Sequence, residues 1–273
     1  MITKHSLVSI LIVAYNAEEF IWQTILSCLN QNYPALEILI LDNGSQDDTI
    51  KAVRSIKNEK IKLFLSPQNA GPYAGLNFLL ERAEGNYIAI QDHDDLWFPE
   101  KIEKQIDFLE GNREYVACGT NNINFYEARH FFIVNKKPFI SDYVPHTTLM
   151  FRRNNLRYEV SHSLADEHFQ KIALRSLGKI FLVPEPLSIH RIRSGNNNLS
   201  SRRFALSRKY AQDFFNINGF NFGSLKYFLT SMTLKMLSFR IRFILEKNVL
   251  KRSCQKFSLA EFKERYPAMA IYF

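Results

Sequence analysis

The chain has 273 residues, 46% of them hydrophobic and 23% charged, enough for one α/β domain with a substantial core and a further appendage. Its formal net charge is +8, but from Arg202 onward there are 14 Lys/Arg against 4 Asp/Glu, so the basic character belongs to the tail and argues against a nucleic-acid-binding body. Cys28, Cys118 and Cys254 lack the spacing of a zinc site or disulfide framework, and no segment reaches the roughly 18–20 nearly uncharged apolar residues of a membrane-spanning helix.

The N-terminal apolar stretch has one lysine and no small-residue cleavage site, so it reads as a strand and not a leader, and the chain as cytoplasmic. Leu7–Tyr15 is almost continuously apolar, as a parallel strand covered on both faces should be. Phe20, Ile21, Thr24, Ile25, Cys28 and Leu29 then repeat at helical spacing, and the helix should stop before Tyr33-Pro34. Glu37–Leu41 is the second strand, Asp47–Ile56 a helix, Ile61–Leu65 the third strand, Pro72–Ala83 a helix and Asn86–Gln91 the fourth strand. After a helix at Glu100–Leu109 the pattern loosens into short strands near Tyr115–Gly119, Phe131–Val134 and Thr147–Arg152. A helix at Ala165–Leu177 and a strand at Lys179–Val183 follow, and from Ser201 the chain reads as helices.

Alternating strands and helices demand right-handed crossovers and a mainly parallel sheet, whose ligands bind beyond the strands' carboxyl ends. Tyr15-Asn16, Asp42-Asn43 and Asp92–Asp95 all fall at such ends, so one crevice can collect them. Asp92, Asp94 and Asp95 repel one another unless a cation or a proton shares the site. Mg²⁺ or Mn²⁺ would fit, because these hard ions bind through one or two carboxylates plus substrate phosphates. The alternative is a solvated acidic turn that caps the helix beginning near Pro99.

Three segments in this order, Val8–Glu19, Glu37–Thr49 and Asp92–Pro99, resemble the family 2 glycosyltransferases of the GT-A fold. The resemblance runs from about residue 6 to 200. It implies an αβα sandwich of Rossmann-like type, with a nucleotide-sugar-binding and catalytic domain at 1–200 (nucleotide half 1–112, acceptor half 113–200) and a basic helical extension at 201–273. The implied activity is metal-dependent, inverting transfer of a sugar from a nucleotide diphosphate to an acceptor hydroxyl, with a saccharide or lipid-linked saccharide as acceptor and Mg²⁺ or Mn²⁺ as cofactor.

By the same resemblance Ala14, Tyr15, Asn16, Glu18 and Asn43 line the nucleotide, Asp92 faces the ribose or sugar and helps with the metal, and Asp94 holds the metal. Asp95 is expected behind the metal ligands or at a helix cap. Asn43 stands where many relatives have aspartate; its amide suits uracil or thymine, favouring UDP- or dTDP-sugars. Asp166-Glu167 matches the family's Glu-Asp motif in reversed order, which makes Glu167 the favoured base and Asp166 the second choice. Either carboxylate is equally explained as helix N-terminal charge. Pro184–Asn196 resembles the family's closing segment, which supplies Arg or His to the diphosphate; here Arg193 stands where many relatives have histidine. Trp97 is a candidate wall for the sugar.

In the tail, Leu225, Phe228, Leu229, Met232, Met236, Phe239, Phe243 and Ile244 form an apolar face with a basic rim. Packing on the body or a second copy is the commoner fate of such a face, and contact with the inner surface of the cell membrane is the other reading. A non-catalytic nucleotide-sugar binding module and an Asp-x-Asp phosphohydrolase are the competing functions. A dehydrogenase is disfavoured because no G-x-G-x-x-G follows the first strand.

Overall fold

In the computed structural model, residues 5–135, 143–193, 207–236 and 254–273 are described. Four strands lie parallel in the order β3 (Ile61–Leu65), β2 (Leu36–Asp42), β1 (Val8–Ala14), β4 (Tyr87–Asp92). The helices between them, α1 (Ile21–Leu29), α2 (Thr49–Ser55) and α3 (Pro72–Leu80), are the crossovers that alternation required. On β1, Val8, Ile10 and Ile12 pack with Ile21, Ile25 and Cys28 of α1. Leu11 faces the other way, into Leu76, Leu79 and Leu80 of α3. Both faces are covered, which is why the strand's sequence hardly alternates. Truncating Ile10 or Leu11 to alanine would cost about 2–5 kcal/mol.

Beyond β4 the sheet turns antiparallel through β8 (Met150–Arg152), which pairs with β4 and with the start of β6 (Tyr115–Tyr126). The far end of β6 pairs with β7 (Phe131–Asn135), while its other edge runs parallel to β9 (Lys179–Ile192). A two-residue strand, β5 (Leu96–Trp97), ties the acidic segment to Ser188 and Ile189 of β9, and α4 (Lys101–Gly111) follows it.

The expected α/β sandwich with a mainly parallel central sheet is observed, with three local differences. First, β6 and β9 are much longer than their sequence patterns suggest. Register shifts around Thr120–Asn122 let β9 carry Pro184 and Pro186 without ending. Second, the helix expected at Ala165–Leu177 changes pitch twice. α5 (Ala165–His168) gives way to a π turn at Phe169–Ala173 and a 3₁₀ turn at Leu174–Ser176. Fully buried Gln170 in the π turn grips the backbone N–H and carbonyl of Val144.

Third, the helical reading of the tail holds for α6 (Arg208–Asn218) and α7 (Phe222–Met236), but Cys254–Ser258 is a strand, β10, paired antiparallel with β7. Of that stretch Phe257 joins a core with Phe132, Phe262 of α8 (Leu259–Arg265), Met269 and Tyr272. On α7, Phe228 and Met232 pack against Tyr210 and Phe214 of α6, as the packing reading requires, while Leu229 is exposed. Phe239, Phe243 and Ile244 lie outside the described residues. Among the described residues no helix is long and apolar enough to cross a membrane.

Candidate active site

The parallel strands deliver three loops to one edge, and hydrogen bonds bolt the first two together. The Ala17 N–H donates to Thr49 Oγ1 (2.7 Å), that of Asn16 to Ser45 Oγ (3.0 Å) and that of Glu18 to Asp47 (3.1 Å). In return Asn16 Oδ1 accepts from the Gln46 N–H and Glu18 from the Asp48 N–H. Asn16 adopts a left-handed backbone, φ +46°, which Asn tolerates better than most residues. Asn16 and Glu18 therefore shape the β1–α1 loop. Ala14 is buried at the end of β1, and Tyr15 presents an exposed ring beside it.

Asn43 is buried and its amide is spent within the protein. Its Nδ2 donates to Asn69 Oδ1 (3.0 Å) and to the Gly71 carbonyl (3.1 Å), and its Oδ1 accepts from the Ala70 N–H. It fixes the loop ahead of α3. The group left wanting a partner is its neighbour, Asp42: Oδ2 accepts from the Ser45 N–H at 3.2 Å, while buried Oδ1 has no hydrogen bond. An open groove of about 490 Å³ lined by Asp42, Ser45, Gln46, Leu65 and Ser66 lies beside it. Sequence reasoning missed Asp42 because nothing local shows which of two adjacent polar residues is left with an open acceptor.

The third loop carries the carboxylates. Asp92 ends β4 opposite Val13, and its backbone N–H donates to Thr147 Oγ1. Its carboxyl keeps nearly half its surface in solvent, with His146 Nδ1 3.9 Å away. The protein packed around the rest of it, reinforced by Asp95 and Asp94 and opposed by His146, lifts this group to about 6 from an ordinary 3.8. Asp94 Oδ2 pairs with Arg193 at 2.8 Å. Asp95 is 1% exposed and sits behind the other two: Oδ1 accepts from the Arg191 N–H (2.9 Å) and Oδ2 meets His190 Nδ1 at 3.1 Å. Burial works against charge on His190, but Asp95 and its hydrogen bond prevail and raise it to about 9 from 6.5, so the imidazole is cationic at neutral pH.

Trp97 does not face a sugar; it is 1% exposed. Its indole N–H donates to the Thr147 carbonyl (3.0 Å), and the Thr147 hydroxyl donates to Gln91 Oε1 (2.9 Å). Gln91 in turn donates to the Asp95 carbonyl (2.7 Å), so Trp97 belongs to the frame that orients the aspartates.

Across the crevice Asp166 and Glu167 diverge. Asp166 Oδ2 accepts from the Tyr143 hydroxyl at 2.9 Å. Burial and the charges of Asp166 and Asp92 together push the Tyr73 hydroxyl far above its usual range. Tyr73 meets the His146 ring edge-on at 6.1 Å, and His146 is the group beside Asp92. Tyr73 stacks on Tyr158, whose hydroxyl shares a 2.9 Å hydrogen bond with His146 Nε2. Asp92, His146, Tyr73 and Tyr158 thus form one linked cluster of side chains. Glu167 points instead at Lys171 (3.4 Å), which also donates to Asn218 of α6 (2.8 Å).

A divalent cation fits this donor set. Among the described residues no three His, Cys, Asp or Glu side chains enclose an ion. The site offers a pair of strand-end carboxylates, as Mg²⁺ and Mn²⁺ use when phosphates complete the shell. Asp92 is raised chiefly by burial, with Asp95 and Asp94 adding to it, and a cation beside the carboxylate would favour its charged form.

This architecture, a parallel α/β sheet with carboxylates at one strand end facing another carboxylate over an aromatic floor, defines a class of ligand-binding crevice at a sheet's carboxyl edge. Residues 9–169 match the model of the glycosyl transferase family 2, and the chain belongs to that family. It is 44% identical over 115 residues to an uncharacterized glycosyltransferase of Haemophilus influenzae, covering 41% of this chain and 46% of that one. It is 37% identical over 127 residues to the Escherichia coli UDP-Glc:alpha-D-GlcNAc-diphosphoundecaprenol beta-1,3-glucosyltransferase WfaP, covering 46% and 49%. These matches span about half the length of the curated relatives.

Among solved structures, Staphylococcus aureus TarS 1-349 with UDP-GlcNAc superposes with a TM-score of 0.62 at 18% identity, over 85% of this chain and 73% of that one. The Pyrobaculum calidifontis mannosyltransferase PcManGT with GDP-Man and Mn²⁺ gives 0.64 at 17%, over 99% and 79%. At such identities the likeness is one of fold. Family membership favours a transferase over the phosphohydrolase and the binding module.

Proposed function

We propose that this chain is a metal-dependent, inverting glycosyltransferase that moves a sugar from a nucleotide diphosphate sugar to an acceptor hydroxyl. The observation that supports the reading is that strand-end Asp92 reaches Tyr73 through His146, while Asp166 is held by Tyr143, so one carboxylate is available for the donor and another for the acceptor. Asp94 and Asp92 would hold Mg²⁺ or Mn²⁺, which supplies positive charge to the leaving diphosphate. Asp166 accepts the proton of the acceptor hydroxyl, the oxygen attacks the anomeric carbon from the face opposite the diphosphate, and a single displacement inverts that centre. Asp166 is preferred to Glu167 because the latter is held by Lys171 on the side of α6.

For the donor, Asp42 Oδ1 is buried beside the groove without a hydrogen bond, and one unpartnered acceptor there would suit the one N3–H of uracil or thymine, where guanine would bring two adjacent donors. UDP- or dTDP-sugars are therefore favoured, with Tyr15 as the stacking face. The acceptor is read as a saccharide or lipid-linked saccharide in surface polysaccharide or glycolipid synthesis. Work on such an acceptor fits an enzyme at the inner face of the cell membrane, in the reducing cytoplasm that free, buried Cys28 and Cys118 suit. Calorimetric titration of UDP, dTDP and GDP with and without Mn²⁺ tests this. Metal-dependent binding of a pyrimidine nucleotide is expected, and binding of none would overturn the reading.

A further inference from the structure

The end of β9 brings two arginines to the acidic loop, and they are held differently. Arg191 is locked: Nε donates to the Asp94 carbonyl, Nη1 to Glu127 and Nη2 to Gln23, each at 3.0 Å. Arg193 sits on the Asp94 carboxylate itself, Nη2 to Oδ2 at 2.8 Å, with its guanidinium about a quarter exposed. Its guanidinium carbon lies 4.8 Å from the centre of the Phe20 ring, on which Arg191 also stacks at 4.9 Å. Phe20 is a fixed post between them, 7% exposed.

Asp94 thus has two claimants: the guanidinium it now holds and the dication that the proposed function assigns to it. Both are cations, so their joint occupation of one carboxylate is disfavoured by their mutual repulsion. A nucleotide diphosphate arriving with the metal brings new anionic oxygens, and a planar guanidinium pairs with phosphate oxygens as well as with carboxylate.

We propose that Arg193 is an exchangeable counter-ion of the donor site: without ligand it neutralises Asp94, and when metal and nucleotide enter it passes from Asp94 to the diphosphate. The inference rests on the transferase reading and deepens it. Arg193 opposes the metal when the metal comes alone and supports it when the diphosphate comes too. Removing the guanidinium must then move two affinities in opposite directions, which loss of a merely structural contact would not do.

The test measures Mn²⁺ binding by electron paramagnetic resonance and UDP binding by calorimetry in the full chain. Arg193→Gln should bind Mn²⁺ alone at least about fivefold more tightly and UDP in saturating Mn²⁺ at least about tenfold more weakly. Unchanged or weaker Mn²⁺ binding, in a variant whose parent binds UDP with Mn²⁺, overturns the exchange and leaves the transferase reading standing. A parent that binds no UDP with Mn²⁺ overturns both. Arg193→Lys guards against a misfolded glutamine variant: it keeps the charge and loses the planar fork. It should hold Mn²⁺ affinity within about twofold while UDP affinity falls at least about threefold. Parental UDP affinity in the lysine variant counts against the proposal.

Discussion

Lys101 is fully buried at the start of α4, and among the described residues no carboxylate pairs with its ammonium. Its Nζ lies 3.8 Å from the centre of the Trp97 ring and donates to Gln105 Oε1 at 2.6 Å. Burial pulls its pKa down from 10.5 to about 7, against small opposing effects of Cys118 and Cys28. Both thiols are themselves pushed up by burial to about 12, so they stay neutral across the window that matters.

The sign follows from proton counting. Between pH 7 and 10.5 the unfolded chain carries the Lys101 proton and the folded one does not, so stability rises with pH through that window. Below pH 7 both states are charged, and the folded state bears the full penalty, on the order of 3–5 kcal/mol from the size of the shift. Between pH 7 and 9 the penalty should shrink by about 2–3 kcal/mol.

Lys101→Met keeps the aliphatic stem and removes the ammonium, at the expense of an unpaired Gln105 oxygen worth about 1–3 kcal/mol. That loss does not vary with pH, so the slope isolates the lysine. Urea unfolding of both proteins at pH 6, 7, 8 and 9 should show the parent gaining on the variant by about 2–3 kcal/mol from pH 7 to 9. Trp97 fluorescence is the natural probe. A difference constant across that range would mean that Lys101 keeps its proton in the folded state.

Asp166→Asn should lower transfer by at least about a hundredfold and leave UDP binding unchanged, whereas Glu167→Gln should keep most activity; product formation and calorimetry on both variants decide. Asp42→Asn should weaken UDP binding by about tenfold while Mn²⁺ affinity stays at the parental value, read by the same titrations. Asp95→Ala removes the acceptor for the Arg191 N–H and the counter-ion of His190, and urea unfolding should show a loss of about 2 kcal/mol or more. With Asp95 in place, His190 favours folding fully below pH 6.5 and loses that contribution as pH rises through about 9, so NMR of its ring should show protonation at pH 7 only in the parent. Gly85→Ala would set a methyl 2.6 Å from the Ser9 backbone nitrogen, and its melting temperature should fall clearly below the parent's.

The parallel core was legible because Val8–Ala14 and Leu36–Asp42 are buried on both faces, which writes unbroken apolar runs into the sequence. β10 was not, since Cys254-Gln-Lys-Phe-Ser sits in a basic stretch and shows Phe257 alone to the core from among its described side chains. Pro184 and Pro186 hid the length of β9, because register shifts that accommodate proline leave no periodic trace. At the site, the aspartates after β4 announced themselves by crowding. The aromatic floor did not, as Tyr73, His146 and Tyr158 come from three separate segments that meet only in the fold. That the Asn43 amide is spent inside the protein was hidden for a similar reason, its partners lying at Asn69, Ala70 and Gly71.

In the proposed transferase, Asp92 serves the donor and Asp166 the acceptor. Sugar transfer from UDP-glucose and UDP-GlcNAc to saccharide and lipid-linked acceptors, with Mn²⁺ and the product's anomeric configuration read by NMR, tests it most directly. An inverted product is expected from the parent, and at least about a hundredfold less from Asp166→Asn. A product of retained configuration, or parental rates from the Asp166→Asn variant, would contradict it.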